Sequence, residues 1–256
     1  MSHSASSRAL AIAFASLVCT PAVTAGAEGA PAIHAEATAP SSIVIGFVGG
    51  FVRHDNPHHG PVQLAQRIHR GFPADTYVEV FENRHRRNAF KTIVHQLDAN
   101  HDGILSDDEK THAHIVLFGH SWGAAATVLL ARDLQRNGIP VLLTVQVDSV
   151  AKLWQNDSVI PANVAEAVNF YQTHGLIHGR KRITAADPSR TQILGNYLVD
   201  YKKVPIQCPA GASWFDHLTP SHAQSECDPH IWSQIEDLVR QHLAPQPSTA
   251  AVHLQP

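Results

Sequence analysis

From residue 42 onward the apolar positions switch between two periods, one suited to strands and one to helices. Ser42–Val48 (SIVIGFV) is a continuous apolar run ending at Gly49-Gly50, which predicts a strand. Pro61–Arg70 places Val62, Ala65 and Ile68 on one face behind Pro61, the pattern of a helix and its start. Thr76–Phe81 (TYVEVF) is β-branched and aromatic. Ala89–Leu97 is helical, with Phe90, Ile93, Val94 and Leu97 at i, i+3, i+4 and i+7. His114–Phe118 (HIVLF) reads as a buried strand, Trp122–Arg136 as a helix closed by Asn137-Gly138, and Val141–Val147 as another buried strand. Beyond Asp148, Val164–Tyr171 reads as a helix, Ile193–Tyr201 as a strand, and Ile231–Leu243 as a closing helix behind Asp228-Pro229. Strands alternating with helices predict an α/β fold with a mainly parallel sheet. Continuous apolar runs, in place of strict alternation, predict strands covered on both faces.

The ends differ from this body. Arg8, the apolar run Ala9–Val18 and Ala25-Gly26-Ala27 make residues 1–27 a secretory signal with a small-residue cleavage site. The run is about ten residues, short of the roughly 20 a membrane crossing needs, so no transmembrane segment is expected. Residues 28–40 and 244–256 are Ala/Pro-rich and are expected to be flexible, leaving 41–243 as the folded domain. Charge narrows the partners. Lys+Arg number 19 against 22 Asp+Glu, and the densest basic stretches are Arg84-His85-Arg86-Arg87 and Arg180-Lys181-Arg182. That lacks the electrostatic footprint of a nucleic-acid binder. A hydrophobic content of 44% with 16% charged residues excludes disorder for most of the chain. Of the three cysteines, Cys19 leaves with the signal, and Val18 before it argues against lipid attachment. Cys208 and Cys227 are then expected to pair in a secreted or periplasmic protein, the alternative being two free thiols.

The main chemical signal is Gly119-His120-Ser121-Trp122-Gly123, between the strand HIVLF and the helix that starts near Trp122. A chain turning directly from strand into helix forces the serine into a strained conformation that exposes its hydroxyl. Side chains two residues before and after would collide, hence glycine at both places, and Ala124, Ala125 and Ala126 keep the helix thin against the sheet. The helix start also aims N–H groups and its positive dipole end at Ser121, favouring a developing oxyanion.

The motif and its placement resemble the α/β-hydrolase superfamily from about Ser42 to Leu243, and the resemblance implies that fold and a serine esterase or lipase activity. It also implies an oxyanion hole from the N–H of Trp122 and one from the Gly49-Gly50-Phe51 loop, at Phe51 or Gly50. Gly-Gly-Phe is similar to the His-Gly-Phe of secreted lipases, with the histidine replaced. The family order of serine, acid, histidine points to Asp148, at the end of the next strand, as the acid, with Asp187, Asp200 and Asp216 as rivals. Among 19 histidines, His222 on a loop shortly before the last helix, inside the expected Cys208–Cys227 bridge, is the candidate base; His217 and His230 share that neighbourhood. His54, His58 and His59 have no trusted metal-ligand spacing and read as a solvated loop.

A second motif is independent of the first. Asp98–Glu109 (DANHDGILSDDE) matches the EF-hand calcium loop, making 88–112 an EF-hand-like insertion before the nucleophile strand. Asp98, Asn100 and Asp102 occupy positions 1, 3 and 5, and Gly103 the sharp turn. Ile104 offers a carbonyl at 7, Ser106 ligates at 9 directly or through water, and Glu109 closes the site at 12. Leu105 takes the apolar position 8. The pattern departs from the family in its outgoing helix, because the strand HIVLF follows Lys110 closely, and no second such loop exists. The expectation is therefore a secreted calcium-binding hydrolase acting on a small-molecule or lipid ester through Ser121, His222 and Asp148. The competing expectation is a calcium-binding protein on a hydrolase scaffold that no longer turns over.

Overall fold

The computed structural model describes residues 39–72, 74–208 and 219–243. The expected signal, most of the N-terminal segment and the C-terminal tail lie outside the described residues, as do Asp216 and His217. The elements run β1 (Ser42–Val48), α1 (Gly60–Gly71), β2 (Thr76–Glu82), α2 (Arg86–Leu97), α3 (Asp107–His112), β3 (His114–His120) and α4 (Trp122–Arg136). They continue with β4 (Val141–Val147), β5 (Val159–Ile160), β6 (Val164–Tyr171), β7 (Thr184–Ala185), β8 (Gln192–Leu198), α5 (Pro220–Cys227) and α6 (Pro229–Leu243).

Six strands form one parallel sheet in the order β2-β1-β3-β4-β6-β8, while β5 and β7 pair separately. Every residue of β1 is buried, as a strand covered on both faces requires. Its side chains alternate between two cores. Ile43, Ile45 and Phe47 face Ile93 and Leu97 of α2 and Leu130 and Leu134 of α4. Val44 and Val48 face Leu64 and Ile68 of α1 and Trp232 and Ile235 of α6. The parallel order brings the carboxyl ends of β1, β3, β4 and β6 to one edge, where the loops carrying Gly50, Ser121, Asp148 and Gln172 begin.

One expected helix is a strand. Val164, Ala167, Val168 and Tyr171 carry helical spacing, yet Val164–Tyr171 is β6, hydrogen-bonded between β4 and β8. Burial on both faces, with only Ala165 exposed, blurs the period that separates the two conformations. The strand expected at Ile193–Tyr201 is β8, ending at Leu198. No helix among the described residues is long and apolar enough to cross a membrane.

Candidate active site

Ser121 sits between β3 and α4 at φ 56°, ψ −124°, a conformation that L-residues rarely adopt. The turn is held by main-chain bonds, from Ser121 N–H to the Val147 carbonyl (2.9 Å) and from Val150 N–H to the Ser121 carbonyl (3.2 Å). Both flanking glycines are sterically required. A Cβ on Gly119 would lie 2.6 Å from the Gly123 main chain, and one on Gly123 would lie 2.4 Å from the Phe47 carbonyl oxygen. Ala124, Ala125 and Ala126 are buried against the sheet as expected. The serine is less open than the bend alone implies: it keeps 7% of its surface.

His222 and Asp148 meet this serine. His222 Nε2 lies 2.9 Å from Ser121 Oγ, and His222 Nδ1 lies 2.6 Å from Asp148 Oδ2. His222 is the third residue of α5 and not on a loop, so a short helix fixes its direction. Asp148 is fully buried at the end of β4, with φ 43°. Burial pushes its carboxyl upward, but hydrogen bonding and charge at His222, with help from Gln172, outweigh it and hold the group below its ordinary range. Gln172 Nε2 donates to Oδ2 (2.8 Å) and Gly179 N–H to Oδ1 (2.5 Å). An ionised Asp148 accepts only, so Nδ1 of His222 carries the proton and Nε2 presents a lone pair to the serine hydroxyl. Gly179 allows this approach: a Cβ there would lie 2.4 Å from the Asp148 main chain.

The rivals are engaged elsewhere. Asp187 binds Ser189, Asp200 pairs with His174 and Lys203, and His230 is exposed on α6. Cys208 and Cys227 form the expected disulfide, which ties the end of α5 to the segment after β8. In the chain-entropy view a closure of this length stabilises by about 3 kcal/mol.

Behind His222 lies a second set of polar groups that the spacing of motifs does not reveal. The His120 and His222 rings are 4.7 Å apart. Ser225 donates its hydroxyl to the His222 carbonyl (2.7 Å), so it accepts from His120 Nε2 at 3.1 Å. Nδ1 of His120 then faces Glu226 Oε1 at 3.5 Å, and His59 Nδ1 approaches the same oxygen at 2.6 Å. Neither contact has hydrogen-bond alignment, so the attraction is charge on charge. Desolvation lowers the His120 pKa, but the Glu226 charge overcomes it and raises the group above its ordinary value. His59 is thus a half-buried partner of Glu226, in contrast to the solvated loop expected for it; His54 and His58 are exposed.

The Gly49-Gly50-Phe51 loop follows β1. Gly50 has φ 46°, and its carbonyl accepts from Asn83 Nδ2 at 2.6 Å. Gly49 packs against the Ser121 turn, where a Cβ would lie 2.9 Å from Ser121 Cβ. Phe51 is exposed, its ring edge-on to Trp122 at 5.5 Å. The start of α4 leaves its first N–H groups, Trp122 among them, without intrahelical acceptors.

The 98–109 loop has the turns its sequence demands. Asp98 accepts from Asp102 N–H (3.2 Å) and Gly103 N–H (3.0 Å), and Asp102 accepts from Ile104 N–H (2.7 Å). Gly103 has φ 80°. Ser106 and Glu109 form a reciprocal capping box at the start of α3, which has six residues. Hydrogen bonds from the Ser106 main chain and hydroxyl hold the Glu109 carboxyl below its ordinary range. Among the described residues no three His, Cys, Asp or Glu side chains gather into a metal-holding group.

No protein-family model matches the sequence, and no curated protein matches it. Among solved structures the chain is similar to the RedJ thioesterase from the prodiginine biosynthetic pathway in Streptomyces coelicolor. That match has 10% identity over 80% of this chain and 91% of that one, with a TM-score of 0.42. It is also similar to an acetyl xylan esterase, at 9% identity over 79% of this chain and 98% of that one, TM-score 0.39. A cutinase-like protein from Cryptococcus sp. matches at 13% identity over 80% and 98%, TM-score 0.36. The parallel strand order and the strand–serine–helix turn of this chain are those of an α/β-hydrolase fold.

Proposed function

We propose that the protein is a serine hydrolase that cleaves carboxylic esters through an acyl-enzyme, with Ser121 as nucleophile, His222 as base and Asp148 as its orienting acid. The observation that carries this reading is the unbroken chain Ser121 Oγ, His222 and Asp148 at 2.9 and 2.6 Å, at the carboxyl edge of a parallel sheet. In the reaction Ser121 Oγ attacks the ester carbonyl as His222 Nε2 takes its proton, and Asp148 stabilises the resulting imidazolium. The carbonyl oxygen becomes an oxyanion that accepts from the Trp122 N–H and from Phe51 or Gly50 N–H. His222 then protonates the departing alkoxide, the ester C–O bond breaks, and the acyl group stays on Ser121. Water, giving its proton to His222, releases the carboxylic acid and restores the serine. Export belongs to the same proposal, and the Cys208–Cys227 bridge supports it because disulfides persist in oxidising compartments. A fluorophosphonate probe tests the chemistry: the expected result is covalent labelling at Ser121 and turnover of p-nitrophenyl acetate. A protein that neither labels nor hydrolyses any ester would leave the non-catalytic calcium-binding reading.

We also propose that the 98–109 loop takes calcium. Its donors are hard oxygens in the order calcium favours, from Asp98, Asn100, Asp102, the Ile104 carbonyl, Ser106 and Glu109. The Glu109 carboxylate is occupied by Ala99 and Ser106, so ligation requires it to turn out of the capping box. That cost, and the lack of a second loop, favour weak affinity and a structural role. Isolated external sites of this kind bind at about 10⁻⁴–10⁻³ M, and calcium at ten times Kd would stabilise the fold by about 1.4 kcal/mol. The expected outcome is a melting temperature that rises with millimolar calcium in the parent and not in Glu109→Gln. A melting temperature indifferent to calcium and to chelator would dismiss the site.

A further inference from the structure

Beside the nucleophile turn lies a cleft of about 390 Å³ whose walls carry an excess of positive charge on a chain of formal net charge −3. Arg84, Arg86, Arg87 and Lys152 line it with Asn83 and Trp122. Two of the four cations are neutralised, Arg84 by Glu82 and Arg86 by Asp133. Arg87 and Lys152 have no carboxylate within ion-pair distance among the described residues. Lys152 is nonetheless held in place: its Nζ sits 4.7 Å from the Trp122 ring centroid and donates to Asn83 Oδ1 at 2.8 Å. The same Asn83 donates to the Gly50 carbonyl at 2.6 Å, so one amide braces both the ammonium and the proposed oxyanion loop. Trp122 directly follows Ser121 and its ring meets Phe51 edge-on, so two of the lining residues, Trp122 and Asn83, adjoin the proposed site.

Resting on the reading of Ser121 as nucleophile, we propose that this cleft is the subsite for a negatively charged group of the substrate, so that the protein prefers anionic esters. A fixed ammonium and an unpaired guanidinium give an incoming carboxylate two charge-assisted donors. Because Lys152 is already immobilised, little side-chain entropy is lost on binding. The apolar face of Trp122 supports the chain that links the charge to the ester.

Two matched ester pairs test this and say which side of the ester carries the charge. Mono-4-nitrophenyl glutarate against its methyl ester places the carboxylate on the acyl side; 4-acetoxybenzoate against its methyl ester places it on the alcohol side. At low ionic strength kcat/KM is expected to favour the anionic member of one pair by about tenfold. That preference falls toward one in Arg87→Gln/Lys152→Met and in high salt, which screens partly exposed charges. A parent that hydrolyses the neutral esters but shows no preference in either pair overturns the subsite and leaves ester cleavage standing. If no ester is turned over, calorimetric titration with monomethyl glutarate decides: saturable heat that the double variant loses supports the cleft, and no heat in the parent refutes it.

Discussion

Ser121→Ala is expected to abolish fluorophosphonate labelling and lower kcat for p-nitrophenyl acetate by about 10⁴–10⁶, without loss of the folded state. The substitution removes only the hydroxyl that meets His222, and alanine keeps the Cβ and both main-chain bonds of the turn. Ser121→Gly is expected to be as inactive yet more stable. At φ 56°, ψ −124° a non-glycine residue carries strain of order 1–3 kcal/mol, against roughly 0.5–1 kcal/mol for the extra freedom glycine brings to the unfolded chain. Urea unfolding should therefore place the midpoint of Ser121→Gly above that of Ser121→Ala. A kcat within tenfold of the parent in both variants would remove Ser121 as nucleophile.

The strand–Ser121–helix turn was legible because everything that defines it is local: a strand, a serine between two glycines and a helix of small residues, all within His114–Arg136. Asp148 was legible for the related reason that a parallel strand delivers its last residue to the same edge. What supports these groups was not. Gln172 and Gly179 reach Asp148 from the loop beyond β6, a strand whose two-sided burial gives it helical spacing. Glu226 meets His59 and His120 from three distant parts of the chain, and nothing in the spacing of those residues marks them as partners. His222 was identified by its place before the last helix, but the helix that carries it, α5, is too short and too polar to leave a periodic signal. The 98–109 loop shows the opposite limit: its spacing is complete in the sequence, while the side chains of Asp98, Asp102 and Glu109 bond to nearby main chain instead of one centre.

Glu226→Gln is expected to lower stability by about 3–5 kcal/mol, the usual cost of removing one partner from a buried ion pair. Glu226 is 14% exposed, and His120, 3% exposed, has Nε2 committed as donor to Ser225. A neutral His120 would therefore turn a lone pair toward the carboxylate, so the ion pair is the arrangement that satisfies both groups. Burial pushes the Glu226 carboxyl up, but the charges of His120 and His59 outweigh it and hold the group below 4.5, while His120 is held above 6.5. The signs follow by linkage. The Glu226 contribution is complete above 4.5 and disappears as pH falls through its depressed folded value; the His120 contribution is complete below 6.5 and disappears as pH rises through its raised folded value. The deficit of the variant should thus be largest between pH 4.5 and 6.5 and shrink on both sides. Urea unfolding of the parent and the variant across pH 4–9 checks this dependence. A deficit independent of pH would reduce Glu226 to a packing residue of α5.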